Sequence, residues 1–292
     1  MKEQQKGILF CVAGAVCWGI SGTCGQALFD DYGLSSLWVT AFRMIVAGCI
    51  LMCITVFKEK KRCLEMWKDK NAILQMLVFS TVGLAYCQLA YLTAIKYTNA
   101  GTATVLQNLS IIIVAIITTI TSRKMPSKRI MIAACMAFSG VWLIATGGKI
   151  GSMQLTMQGF IWGMGAAVGA VTYSMLSEKP VQKFGSISVT AWGLLLGGSV
   201  VSMMSRVWII PENLDFYGWS LLMVVAIIGT VLSFNCFLRG ISLIGPLKAM
   251  LIGCLEPVTA TVLAFFWLGS TFTIPDLLGF ALIMATVFVT TI

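Results

Sequence analysis

Histidine is absent from the chain, which removes the side chain most used for acid–base chemistry near neutral pH and the commonest metal ligand. Charge is scarce as well: Asp, Glu, Lys and Arg make up 11% of 292 residues, where soluble domains carry about a quarter. The ten cysteines (Cys11, Cys17, Cys24, Cys49, Cys53, Cys63, Cys87, Cys135, Cys236 and Cys254) include no Cys-x-x-Cys pair and fall mostly within apolar runs. They predict neither a zinc site nor a disulfide framework, and read as small buried hydrophobes. No phosphate-binding loop and no paired carboxylates inside an apolar run are present, so no enzyme active site, cofactor site or metal site is expected.

What the chain has instead is apolar length. With 58% hydrophobic residues and a mean hydropathy of +0.92, its main solvent is expected to be lipid. A helix crossing a bilayer needs about 20 apolar residues. Breaking the runs at charges, prolines and glycine clusters predicts ten spans, near 7–28, 35–57, 72–95, 98–121, 129–147, 157–177, 187–206, 218–238, 247–268 and 274–292. The breaks around Lys96 and Gly245-Pro246 are short enough to predict tight helical hairpins. The first run is too long for a secretory signal and lacks a small-residue cleavage site, so it is expected to be retained.

The net charge of +9 could suit nucleic acid, but the basic residues never form a stripe interleaved with aromatics. They read as topology signals. Of the twenty basic residues, all but Lys96, Lys149, Arg206 and the intramembrane Arg43 fall on one side of the ten-span arrangement. That side is expected to be cytoplasmic and to hold both termini.

The second half echoes the first. Gly7…Gly14-Ala15-Val16 returns as Gly159…Ala166-Ala167-Val168, Val39-Thr40-Ala41-Phe42 as Val189-Thr190-Ala191-Trp192, and Gly83 as Gly229. With five spans in each half, 1–150 and 151–292, the second enters the membrane in the opposite orientation. The predicted fold class is thus all-α integral membrane, ten transmembrane helices as two inverted five-helix repeats, an architecture suited to alternating access around a central site.

This tandem arrangement resembles the drug/metabolite transporter superfamily, and within it the EamA-like family of ten-helix carriers. The resemblance covers essentially the whole chain and is carried by Ala15-Val16-Cys17-Trp18-Gly19, Phe42-Arg43, Leu92-Thr93-Ala94-Ile95-Lys96-Tyr97-Thr98 and Leu255-Glu256-Pro257-Val258. Two departures concern local gating: Leu268-Gly269 is followed by Ser270 where the family often has Glu, and the counterpart of Pro257 is Ile111. The resemblance implies a multi-pass protein of a bacterial inner or plasma membrane that exports a small metabolite, with a pocket between the halves.

Candidate substrate-binding residues follow from polarity in the spans. Glu256, near the middle of the ninth span, is a partner for a substrate ammonium or a carrier of a coupling proton, or else caps a helix end. Arg43 in the second span suits a carboxylate or phosphate, or cross-links helices. Thr104, Gln107 and Ser110 recur at a spacing of three and predict one polar face of an unbroken fourth span, with Asn108 beside it. The resemblance implies a pocket lined mainly by the first, third, fourth, sixth, eighth and ninth helices, and so implies Trp18, Tyr86 and Tyr173 in its wall with Asn235 of the eighth, an environment suited to amphipathic zwitterions or cations. Glycine pairs such as Gly159…Gly163, Gly165…Gly169 and Gly193…Gly197 predict close helix packing. The expected partners are a small-molecule substrate, membrane lipid and a coupling ion such as H⁺, without nucleic acid; a homodimer is compatible. The alternatives are a cationic-drug efflux carrier, a passive channel or a structural membrane protein.

Overall fold

Apolar runs of spanning length can satisfy their backbone groups in lipid only by coiling into helices. In the computed structural model, which describes residues 3–68, 70–121, 128–149, 155–244, 249 and 252–291, the regular structure is entirely helical among the described residues. Helices α1 (Glu3–Tyr32) and α2 (Ser36–Glu65) are followed by α3 (Lys70–Val78), a π-helical segment (Phe79–Ala85) and α4 (Tyr86–Tyr97), which form one continuous rod. Next come α5 (Ala100–Gln107), α6 (Ser110–Thr121), α7 (Lys128–Thr146), α8 (Met157–Phe184) and α9 (Ser186–Ser205). A second rod joins α10 (Phe216–Met223), a π-helical segment (Val224–Leu232) and α11 (Ser233–Ile244), and the chain ends with α12 (Leu255–Leu268) and α13 (Ile274–Thr291).

Seven of these rods are long and apolar enough to cross a membrane, and shorter apolar helices cover Ala100–Val114, Leu255–Leu268 and Ile274–Thr286. Phe57 is 90% exposed and Phe266 80% exposed, an outer surface that water would not tolerate and lipid would. The tight turn expected near Lys96 is present: α4 ends at Tyr97, and the Asn99 side chain caps α5 by accepting a hydrogen bond from the Thr102 N–H at 2.8 Å. The turn expected at Gly245-Pro246 and the division at 150/151 lie outside the described residues.

The fourth span departs from expectation. It breaks at Asn108-Leu109, where the Leu109 N–H bonds the Leu106 carbonyl at 3.1 Å and the Ile111 N–H bonds the Asn108 carbonyl at 3.2 Å, tightening the turn. The Asn108 side chain stabilises the break by donating to the Thr104 carbonyl at 2.9 Å. Thr104, Gln107 and Ser110 therefore do not share one face of an unbroken helix: Thr104 is buried against Tyr91, while Gln107 and Ser110 line a cavity. The second half breaks at the matching place. The register that carries Ile111 to Pro257 carries Asn108 to Cys254, and a turn at Cys254 precedes α12. The π-helical segments correspond in the same way, since Gly83 lies in one and Gly229 in the other.

Contacts between the halves repeat this correspondence. α2 packs on α9 and α7 on α13, each helix meeting its own counterpart, while α1 on α11 is matched by α8 on α4. Such reciprocal pairing is what a two-fold relation between halves produces. Glycine permits the closest approaches. Where α7 crosses α13, a Cβ added to Gly140 would lie 2.8 Å from the Gly279 carbonyl oxygen, and one added to Gly279 2.7 Å from that of Gly140. The predicted small-residue pairs also face the other half, with Gly163 against Leu106 and Gly169 against the Cys87 backbone.

At the end of the bundle where α1 passes to α2, polar groups tie the halves together. The Tyr32 hydroxyl donates to Asp215, which also caps α10 by accepting from the Gly218 N–H at 2.8 Å. Asn213 Nδ2 donates to the Tyr32 carbonyl at 2.9 Å, and Trp38 Nε1 to the Ile209 carbonyl at 3.0 Å. Deeper in, Gln26 Nε2 donates to Ser270 Oγ at 3.0 Å and to Asp30 at 3.2 Å, while its Oε1 accepts from the Ala100 N–H at 2.9 Å. One side chain thus joins α1, the start of α5 and the turn after α12.

Two outcomes follow. Gly140→Leu is expected to destabilise the protein by about 3 kcal/mol, the upper range for overpacking because the obstacle is backbone. A thermal melt in detergent reads this against Met131→Leu, a control on the exposed face of the same helix. The Tyr32 hydroxyl, followed by the Gly218 N–H, holds the Asp215 carboxyl below its ordinary range. Its contribution to stability is therefore present above the unfolded-state value and lost as pH falls through the folded-state one. Tyr32→Phe is expected to flatten that acid limb, measured as the difference in melting temperature between the two proteins from about pH 6 downward to about pH 3.

Candidate functional site

Between the halves lies a cavity of about 320 Å³, at the lower end of small-molecule sites. Its walls come from α1, α2, the first π-helical rod, α5 and α6, α8, α11 and α12. Both breaks described above open onto it, through Asn108 on one side and Gly253 on the other.

One wall is aromatic. Trp18 of α1 meets Phe234 edge-on, with ring centroids 5.3 Å apart, and Phe237 at 4.8 Å. Tyr173 of α8 faces the cavity and packs against Phe79 at 5.7 Å. Across the first half, the Tyr91 hydroxyl is 3.0 Å from Thr104 Oγ1, whose own proton goes to the Ala100 carbonyl at 2.7 Å. Tyr91 is therefore the donor of that pair.

Two ionisable groups of opposite sign line the same space. Arg43 is 4% exposed, and its Nη2 donates to Gln88 Oε1 at 2.8 Å. Its Nε and Nη1 are buried without a hydrogen-bond partner. Glu256 lies in the first turn of α12, directly after the break at Cys254. This placement explains Pro257: within the first turn its missing N–H would have had no intrahelical acceptor, so the ring is accommodated at the start of a helix. A helix N-terminus is also the end at which a carboxylate is best accommodated. Close packing of Gly19 on the Glu256 carbonyl brings α1 against this turn. Arg43 and Glu256 form no ion pair with each other.

The cavity thus gathers Trp18, Arg43, Gln107, Asn108, Tyr173 and Glu256 from the residues expected from sequence. Tyr86 and Asn235 are not among its lining residues. Tyr86 is 38% exposed and directs its hydroxyl toward Gly165, and Asn235 Nδ2 turns back to the Val231 carbonyl at 2.7 Å. The geometry adds Gln88, Cys87, Phe234 and Phe237. Gln107 Nε2 approaches Cys87 Sγ at 3.8 Å. Phe234 and Phe237 carried a usable signal, since a spacing of three places both rings on one helical face; Gln88 carried only its polarity within an apolar run. No cluster of three or more metal-ligating side chains occurs among the described residues.

Comparison with known proteins agrees with this frame. The chain is 32% identical over 291 residues to the uncharacterized inner membrane transporter YicL of Salmonella typhimurium, covering 98% of this chain and 95% of that protein. It is 26% identical over 282 residues to the uncharacterized transporter YwfM of Bacillus subtilis, covering 94% and 90% of the two chains. A solved crystal structure, 14% identical and covering 98% of this chain and 96% of its own, superposes with a TM-score of 0.65, a likeness of fold. The profile of the EamA-like transporter family matches twice, over residues 5–146 and again over 157–292. Two matched repeats spanning nearly the whole sequence, packed around a shared cavity, place this chain in the EamA-like transporter family.

Proposed function

We propose that the chain is a secondary transporter that exports a small metabolite, an amino acid or related amphipathic compound, by alternating access around the cavity between its repeats. The observation that carries this reading is the pair of breaks at corresponding places, Asn108-Leu109 and Cys254, both facing the cavity. Interrupted helices at matching positions of two repeats are the structural mark of a carrier's binding site, because irregular backbone at membrane depth is tolerated where it lines a cavity.

The full proposal has ten spans in two inverted halves, divided near 150/151, with both termini in the cytoplasm of a bacterial cell. The seven long rods and the shorter apolar helices support the count, and the one-sided distribution of Lys and Arg supports the orientation. In that orientation the ties through Gln26, Tyr32 and Asp215 seal the external end. Opening to the outside then requires these bonds to part while the opposite end closes, the exchange that two related halves make available. Glu256 is the acid in the cavity wall, and is assigned as the carrier of a coupling proton when the substrate leaves.

The test is counterflow in proteoliposomes loaded with unlabelled amino acids. Saturable entry of labelled amino acid, driven by the trapped pool and competed by unlabelled solute, is the expected result. Unsaturable flux without counterflow from folded protein would make the cavity a channel. Glu256→Gln, at equal incorporation, is expected to slow proton-driven flux by about tenfold or more, equivalent to about 1.4 kcal/mol, while sparing exchange more than net transport.

A further inference from the structure

The two charges in the cavity are placed as separate poles. Arg43 is more than nine-tenths buried and anchored to Gln88 through one nitrogen, with two others unpartnered. Buried donors are rarely left unmade, because they have lost water and gained nothing in return. A helix cross-link alone would account for the bond to Gln88, and leaves the remaining donors unexplained. Glu256 supplies the opposite charge in the same cavity, yet the two do not pair. Opposite charges in a weakly polarisable site attract strongly. Holding them apart makes sense when a solute completes the circuit between them.

We infer that the cavity is a two-pole site for a zwitterion, with a carboxylate bound by Arg43 and an ammonium bound by Glu256. A guanidinium presents a planar fork that matches a carboxylate, and the bond from Nη2 to Gln88 anchors that fork in the cavity wall. Trp18 lines the same cavity as Glu256 and adds an aromatic face suited to an ammonium. Phe234 and Phe237 continue that wall and favour an apolar side chain on the solute. Arg43 and Glu256 are thus specificity-determining residues of one site, contributed by different halves. A solute with both charges satisfies both poles, whereas a solute with one leaves the other pole buried and unanswered, the situation that gives polar sites their sharpest discrimination.

The inference rests on reading this cavity as the transport site, and equilibrium binding tests it independently of transport. Ligand that binds the folded state raises its melting temperature by mass action. The purified full-length protein is titrated with L-phenylalanine, L-leucine and L-methionine, and with phenethylamine and 3-phenylpropionate as single-charge analogues. At least one zwitterion is expected to stabilise the protein, with each analogue of the phenylalanine skeleton weaker by about tenfold or more, the loss of one charge-assisted contact. Arg43→Gln is expected to reduce zwitterion affinity toward that of the amine while leaving amine binding intact; Glu256→Gln is expected to do the reverse, sparing the acid. Should Arg43→Gln fold poorly, Arg43→Lys and Gln88→Ala replace it, the first keeping charge without the fork and the second freeing the fork from its anchor; both are expected to weaken the zwitterion selectively. Equal binding of zwitterion and single-charge analogue, no binding of any zwitterion, or variants that weaken acid, amine and zwitterion alike would overturn the two-pole assignment. Normal binding without counterflow would instead overturn the carrier reading and leave the site standing.

Discussion

In hydrocarbon, a backbone N–H or C=O that leaves the helical ladder has no water to turn to. That constraint governs where this chain can be irregular. Its turns at Asn108-Leu109 and Cys254 open onto the central cavity, and its π-helical segments, Phe79–Ala85 and Val224–Leu232, pack against helices of the opposite half. Phe79–Ala85 lies on α8 and α9, and Val224–Leu232 on α1 and α2. The departures from regular helix are therefore concentrated where the halves meet and where a solute can sit, although Val82 and Ile227 of the π-helical segments still face outward.

The same constraint shapes the polar inventory. Many hydroxyls in the spans return to carbonyls of their own helix, as Thr40 does to Ser36 at 2.7 Å and Ser80 to Met76 at 2.6 Å, and so cost little and convey no specificity. The polar contacts that join different helices include the seam around Gln26, Tyr32 and Asp215, the cavity set with Arg43 and Gln88, and single ties such as Ser36 to Thr93. Nearly all packing between them is apolar and close, with glycine allowing backbone to approach backbone.

The positions of the helices were legible because spanning length and charge placement are strong signals over about twenty residues. The duplication was legible from Gly83 and Gly229, Ile111 and Pro257. The site was harder for a local reason. Tyr86 is an aromatic in a span expected to line the pocket, but within the same helix it stands two residues from Gln88 and five from Tyr91, spacings that turn it to another side when those two face inward. Asn235 stands out as a polar residue in an apolar run, yet it satisfies itself on Val231. The break in the fourth span was hidden because its mate in the second half is marked by a proline and this one is not; Asn108 makes the same interruption with a side-chain amide.

Arg43 belongs to the first half and Glu256 to the second, and their counterparts by repeat, Gly193 and Ser110, are uncharged. A nearly two-fold frame therefore surrounds a core with a definite electrical direction. In the proposed exchange of postures between the halves, the shape of the protein can be reflected, but the dipole between these two residues cannot. Under the proposed mechanism the inward and outward forms would then differ in electrostatic energy even with matched packing, so a preferred resting posture follows from two side chains alone.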